Sequence, residues 1–219
     1  MQPLKHQDSS PTGDRLSAVR TLDRKQEIFG ADYHHYELTQ VSADELAEFE
    51  AWCGVSLPAT YRDHLLTFGH GAGPYYGLWS PAAIRKELES LHECLEPENL
   101  PPPRISDPFP LTLADAQNCR NRSIAGESEP WITAAWPLAG CLPICSQGCE
   151  YYSVLQVTGD APGSVWDISE SGVWIPGHRP TGLIGSRRPR PPLPELEPTP
   201  TFEAWYQSWI DQIIADFSP

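Results

Sequence analysis

The chain has 219 residues, of which 40% are hydrophobic, so it can close the core of one domain and is not a wholly disordered protein. Its formal net charge of −14 argues against nucleic acid or an anionic membrane as partner and favours a basic partner, although an acidic surface can also serve solubility alone. The opening residues lack the apolar core of a signal peptide and no run reaches transmembrane length, so we expect a cytoplasmic protein with reduced thiols.

The first half of the chain is predicted to be largely helical. Residues 1–15 are expected to be a flexible leader, and residues 16–219 a single domain. The stretch SADELAEFEAWCG offers Ser42 as an N-cap and Glu45 three residues later, which is the spacing of a capping box. Another short helix begins at Pro58, and SPAAIRKELESLHECLE gives the next one. Before them, RLSAVRTLDRKQEIFG predicts a first helix with apolar positions at Leu16, Val19, Leu22 and Ile28.

A glycine-rich stretch, GHGAGPYYG, follows the helix that begins at Pro58. It lacks the Lys-Ser/Thr of a phosphate loop, it follows a helix rather than a strand, and Pro74 removes a backbone donor. We therefore interpret it as the turn into the first strand, with Gly69 ending the helix. Three aromatic residues are then left near a sheet edge, where they are either core or part of a binding surface: Tyr75, Tyr76 and Trp79.

Two proline-rich segments are predicted to lack regular structure. The first, at about 97–110, is a loop followed by a brief helix at LADAQNCRN. The second, at about 187–200, is an extended tether, either a plain spacer or a ligand for a proline-reading domain. The closing stretch TFEAWYQSWIDQIIADF then predicts an amphipathic helix that docks on the sheet through Phe202, Trp205, Trp209, Ile213 and Phe217.

The residues after 140 predict a small antiparallel sheet. Four short runs, CLPIC, EYYSVLQVTG, GSVWDIS and GVWIPG, are rich in Val, Ile, Trp and Tyr and are separated by Gly, Asp and Pro. The stretch TGDAPG is the predicted turn between two of these strands.

The six cysteines and seven histidines form no recognisable metal or catalytic motif. Cys141, Cys145 and Cys149 are spaced four apart without a CxxC pair, and a regular strand would hold the first two on one side, about 13 Å apart. We therefore expect buried structural thiols, with no metal, no cofactor and no catalytic residue. A hydrolase or metal protein that uses the cysteines and histidines is a lesser alternative.

Three pieces of the chain, in this order, resemble the SUKH superfamily of Smi/Knr-type proteins. They are LP-x-x-Y-R with a glycine turn and YGL, GCEYYSVLQVTGDAPGSVWDIS, and the terminal F-x-x-W-Y-x-x-W-I. The resemblance covers about residues 40–80 and 140–217, and it implies an α+β fold with helices packed against an antiparallel sheet. It also implies structural roles for the matching positions, which are Leu57, Pro58, Tyr61, Gly73, Gly77, Leu78, Gly148, Gly159, Gly163 and Trp166.

The resemblance implies function by binding, without catalysis. Bacterial members of the superfamily are mostly immunity proteins that neutralise toxins, and other members are regulators or scaffolds. We expect a monomeric immunity protein whose acidic surface binds a basic toxin, for example a nuclease, with a regulatory or scaffold protein as the alternative. The expected contact residues are Asp44, Glu45, Glu48, Tyr75, Tyr76, Trp79, Glu150, Asp167 and Glu170.

Overall fold

The computed structural model describes residues 12–95, 104–177 and 199–217. Its helices are α1 (Thr12–Leu22), α2 (Ala31–His34), α3 (Ala43–Cys53), α4 (Ala59–Thr67), α5 (Pro81–Leu95), α6 (Leu113–Ile124) and α7 (Phe202–Phe217). Its strands are β1 (Leu38–Thr39), β2 (His70–Gly71), β3 (Ile132–Thr133), β4 (Cys141–Gly148), β5 (Tyr151–Gln156), β6 (Val165–Ser169) and β7 (Val173–Pro176). Over these ranges, no helix has the length and apolar character needed to cross a bilayer.

The helix boundaries follow from local caps. Ser42 Oγ accepts a hydrogen bond from Glu45 N–H at 3.1 Å, and Gly54 ends α3 in the left-handed region at φ 69°. A complete capping box opens α6: Thr112 Oγ1 accepts from Asp115 N–H at 3.2 Å, and Asp115 Oδ2 accepts from Thr112 N–H at 2.8 Å. The brief helix predicted at LADAQNCRN therefore extends to 12 residues.

The main sheet has five antiparallel strands in the order β3-β7-β6-β5-β4. The four predicted strands are confirmed as β4 to β7, while β3 and the separate β1–β2 pair have two residues each and no period that could predict them. The glycine-rich stretch leads to the free edge of β4. There Trp79 N–H donates to Ile144 O at 2.9 Å, and Tyr76 N–H donates to Ser146 O at 3.3 Å. The stretch ends α4 as predicted, but it does not lead into the first strand: it contains β2 itself, and the next strand, β3, follows only after α5 and α6.

The main sheet has helices packed against it, as predicted, and it is covered on both faces. One face packs on α1, α3, α4, α5 and α7 in the larger hydrophobic cluster, to which the sheet contributes Leu142, Ile144, Cys145, Leu155, Val157 and Val165. The other face packs on α6 and the segment before it, through Cys141, Tyr152, Val154, Trp166, Ile168 and Trp174. Consecutive residues of a strand point to opposite faces, so nearly every side chain of the central strands β5 and β6 is buried.

Helix α7 docks through the apolar face that its sequence predicts. It packs on α1 and α4 within the larger cluster, so its contacts are with helices as well as with the core over the sheet. At its start, Phe202 N–H donates to Gly163 O at 2.8 Å, which ties the helix to the β5–β6 turn. The predicted tether at about 187–200 lies outside the described residues except for its last two.

Two expectations about local structure are wrong. Helix α1 begins at Thr12, inside the stretch expected to be a leader, and ends at Leu22. Ile28 is buried, but it lies beyond the end of this helix. Cys141 and Cys145 do not share a side of β4. A register shift between Pro143 and Cys145 inserts an extra residue, which moves Cys145 to the larger cluster while Cys141 stays in the smaller one.

Candidate partner-binding surface

Two turns bring exposed carboxylates together at one end of the main sheet. The β4–β5 turn contains Cys149 and Glu150, which are exposed and have positive φ angles of 47° and 68°. The neighbouring β6–β7 turn contains Glu170, whose N–H donates to Glu150 O at 2.9 Å. Glu150 and Glu170 are thus adjacent, and both face solvent.

An aromatic cluster adjoins the β4–β5 turn. The ring of Tyr76 lies 5.1 Å from that of Phe29 and 4.7 Å from that of Tyr33, and Tyr33 is 71% exposed. A Cβ added at Gly148 would lie 3.0 Å from Tyr76 Cε2, so the ring rests directly on the turn. We call the surface formed by these residues the turn surface: Phe29, Tyr33, Tyr76, Glu150 and Glu170.

A third carboxylate reaches the turn surface through Tyr152. The Tyr152 hydroxyl lies 2.8 Å from Glu170 Oε1 and 3.0 Å from Glu87 Oε1. Burial, together with these two carboxylate acceptors, raises the pKa of Tyr152, so the phenol keeps its proton and donates it. The shared phenol holds Glu170 in place and concentrates negative charge at this end of the sheet.

Two of the expected contact residues are buried, so their prediction as surface contacts is wrong. Asp167 is 4% exposed, and its Oδ1 accepts hydrogen bonds from Ser153 Oγ at 2.8 Å and Gln147 Nε2 at 2.6 Å. The alternation of side chains along β6 turns Asp167 toward the face that packs on the larger hydrophobic cluster. Tyr75, 5% exposed, belongs to the larger cluster, while Trp79 is partly buried and packs edge-on against the ring of Tyr152.

The acidic residues of α3 are exposed, but their contacts lie elsewhere. Asp44 and Glu45 occupy the first turn, where a carboxylate interacts favourably with the helix dipole, and Glu48 follows one turn later. Helix α3 packs on α5, and Glu45 acts electrostatically on His70. These three residues are therefore not part of the turn surface.

Most thiols and two of the histidines in the described ranges are buried. Burial raises the pKa of Cys141 to about 12, and Cys145 Sγ donates to Pro74 O at 3.0 Å. Burial lowers the pKa of His34 and of His64 to about 4. A protonated buried thiol is a poor nucleophile. Among the residues that the structure describes, no group of three or more His, Cys, Asp and Glu could hold a metal ion.

Phe29 and Tyr33 are the two members of the turn surface that the sequence did not predict. They belong to an irregular segment around the four-residue α2, where no hydrophobic period marks a face. The signal was Gly30, which has φ 82° and lies so close to the Tyr75 carbonyl that a Cβ there would overlap it. Such a glycine indicates close backbone approach, but not which segment approaches.

A comparison with known protein families gives a match over the central part of the chain. The model of the SMI1 / KNR4 family (SUKH-1) matches residues 40–184, about two thirds of the 219 residues. No curated protein and no solved structure matched significantly. The matched range includes Tyr76 and both acidic turns, whereas Phe29, Tyr33 and α7 lie outside it.

Proposed function

Since the chain belongs to the SMI1/KNR4 family (SUKH-1), we propose that it is an immunity protein, a non-enzymatic inhibitor that binds and neutralises a cognate protein toxin. The turn surface is the observation that carries this proposal. Its exposed carboxylates can steer a basic partner toward it, and its aromatic rings can supply the buried contact area of the complex.

The distribution of charge around the turn surface supports a basic partner. The chain contains no Lys or Arg between Ser123 and His178, a range that includes both acidic turns. A toxin that cleaves nucleic acid presents a positive cleft, and an acidic protein face can occupy that cleft in place of the phosphate backbone. We therefore expect association that is fast at low salt and slower as salt rises.

The non-enzymatic part of the proposal is supported by the burial of the reactive groups. Cys141 and Cys145 are shielded from solvent, and the described thiols with raised pKa values remain protonated near neutral pH. The expected regulatory or scaffold role would use the tether at about 187–200, which lies almost entirely outside the described residues. The inhibitor proposal includes a monomer that acts in the cytoplasm.

The test is co-expression with the product of the directly adjacent toxin gene. We expect the two proteins to co-purify and the toxin to lose activity. The double variant Glu150→Gln/Glu170→Gln should slow association about tenfold at low salt, because two steering charges are removed. The matched control Glu93→Gln/Glu129→Gln removes two exposed acids elsewhere and should bind normally.

Two results would overturn the proposal. One is an association rate that is the same in both double variants and indifferent to salt. The other is normal binding by the turn-surface variant together with loss of binding when residues 187–200 are deleted, which would assign the function to the tether.

A further inference from the structure

A pocket of about 250 Å³ lies between α1, α4 and α7, away from the turn surface. Its walls include His64, Phe68, Phe202 and Tyr206, and two carboxylates, Asp63 and Glu203, line its mouth. Pockets for drug-sized ligands are larger, so this volume suits a single side chain or a small ion. We propose that it binds an alkylammonium or guanidinium group, with His64 as the buried hydrogen-bonding partner.

His64 is the unusual member of this pocket. The residue is 8% exposed, and its Nε2 has no hydrogen-bond partner among the residues that the structure describes. Leaving a buried polar atom unpaired costs about 1–3 kcal/mol, which a ligand that bonds to it would recover. In the tautomer that carries its proton on Nδ1, Nε2 accepts a hydrogen bond from an ammonium or guanidinium N–H.

Three aromatic rings surround the imidazole. The ring centroids of Phe68, Phe202 and Tyr206 lie 5.3, 5.1 and 4.6 Å from that of His64. Aromatic faces attract cations, and they do so most strongly where the cation is desolvated. The proposed ligand reaches Nε2 by displacing the ring of Phe68, which is only partly buried and lies at the C-cap of α4.

The charges at the pocket favour a cation over an anion. Asp63 and Glu203 are exposed carboxylates of the lining, and the C-terminal end of α4, with its partial negative charge, contributes Thr67. Within the described ranges, the lining includes no Lys or Arg. Arg15 lies nearby, but Asp211 and Gln207 already bind its guanidinium.

Such a cation has two sources with the same chemistry. It is either the side chain of Lys or Arg in a protein, or a small free amine. The proposal does not depend on the identity of a toxin, because the pocket and the turn surface share no residue.

The test follows the His64 ring resonances by NMR in the full, nitrogen-15-labelled chain. The cationic probes are Nα-acetyl-arginine amide, Nα-acetyl-lysine amide and agmatine, and the uncharged probe is Nα-acetyl-norleucine amide. We expect saturable shifts of the His64 resonances with the cationic probes, and affinity at least about tenfold weaker for the norleucine probe. Tighter binding of the amides than of agmatine indicates a protein side chain, and the reverse order indicates a free amine.

The exposed carboxylates provide variants that keep the core intact. Asp63→Asn/Glu203→Gln should weaken the cationic probes about tenfold, while the control Glu93→Gln/Glu129→Gln should leave them unchanged. Equal binding of the norleucine and arginine probes would overturn the proposal, as would shifts of His64 that never saturate. These outcomes are independent of toxin binding, which is measured on the turn-surface variants.

Discussion

Carboxylates in the middle and at the end of the main sheet have different roles. Asp167, within β6, is buried and bonded to Ser153 and Gln147, whereas Glu170, just past the end of the same strand, is exposed beside Glu150. A carboxylate between two covered faces must be paired inside the protein, while one in a turn is available to a partner. The contrast shows that acidic composition alone does not locate a binding surface.

Acidification should affect the interior most strongly, through its histidines. The pKa values of His34 and His64 are about 4, below the ordinary 6.5, so between these values the unfolded chain binds more protons than the folded one. Above pH 6.5 these two histidines therefore do not reduce the free energy of unfolding. As pH falls toward 4, that free energy decreases by up to about 3 kcal/mol for each histidine. Urea unfolding at a series of pH values measures this loss.

A pair of variants assigns the acid sensitivity to burial. His64→Phe should remove about half of the histidine-dependent loss, since the surrounding aromatic residues accept another ring. His35→Gln removes only the smaller cause of the low His34 pKa, the charge of the neighbouring imidazole, so it should reduce the acid-dependent loss by less than His64→Phe does. If the free energy of unfolding depended on pH in the same way in the wild type and in His64→Phe, the assignment to burial of His64 would be contradicted.

Removing the carboxylate in the middle of the sheet should be the next most damaging change. Asp167→Ala leaves the Ser153 hydroxyl without its acceptor and removes one of the two acceptors of the Gln147 amide, so we expect a loss of about 3 kcal/mol in the free energy of unfolding. Glu150→Ala, at the end of the sheet, should change that free energy by less than about 0.5 kcal/mol. Denaturant titration measures the loss in each variant, and similar losses would contradict the expected difference between the middle and the end of the sheet.

The contact between the β4–β5 turn and Tyr76 can be tested at Gly148. Gly148→Ala places a Cβ at φ 85° against the Tyr76 ring, so we expect a loss of about 2 kcal/mol in the free energy of unfolding and a shifted Tyr76 ring resonance. The matched control is Gly126→Ala, where φ is 73° but, apart from its chain neighbours, no atom of the described residues lies within 4 Å of the added Cβ. Equal losses in the two variants would mean that Tyr76 does not rest on the turn.

The smallest effect on folding is expected for the exposed ring of the turn surface. Tyr33→Ala should change the free energy of unfolding by less than about 0.5 kcal/mol, because this side chain is mostly exposed. In the proposed complex it should speed dissociation of the toxin about tenfold, since aromatic anchors set residence time. Surface plasmon resonance separates the two rates. Unchanged dissociation would exclude Tyr33 from the interface.

Much of the fold was predictable because its signals are local. Ser42 and Gly54 mark the two ends of α3, and the spacing of Phe202, Trp205 and Trp209 identifies α7. The two-residue strands and α2 were not predictable, since they are too short to show a period. The bulge before Cys145 was missed for a related reason, because it is set by pairing with β5.

The candidate surface was only half predictable. Tyr76, Glu150 and Glu170 were named from the sequence because Tyr76 follows the glycine-rich stretch near a sheet edge and the two acids lie on the predicted hairpin. Phe29 and Tyr33 were not, since nothing local connects their segment to Tyr76.

The sequence by itself determined the overall negative charge, the four longer strands and the capped helices, because these elements depend on residues near one another in the chain. Only the tertiary structure decided which acids are buried and which rings meet the β4–β5 turn. The physical reason is that burial and contact depend on which distant segments cover a given face, and strand alternation can turn one carboxylate inward while the next turn leaves another in solvent.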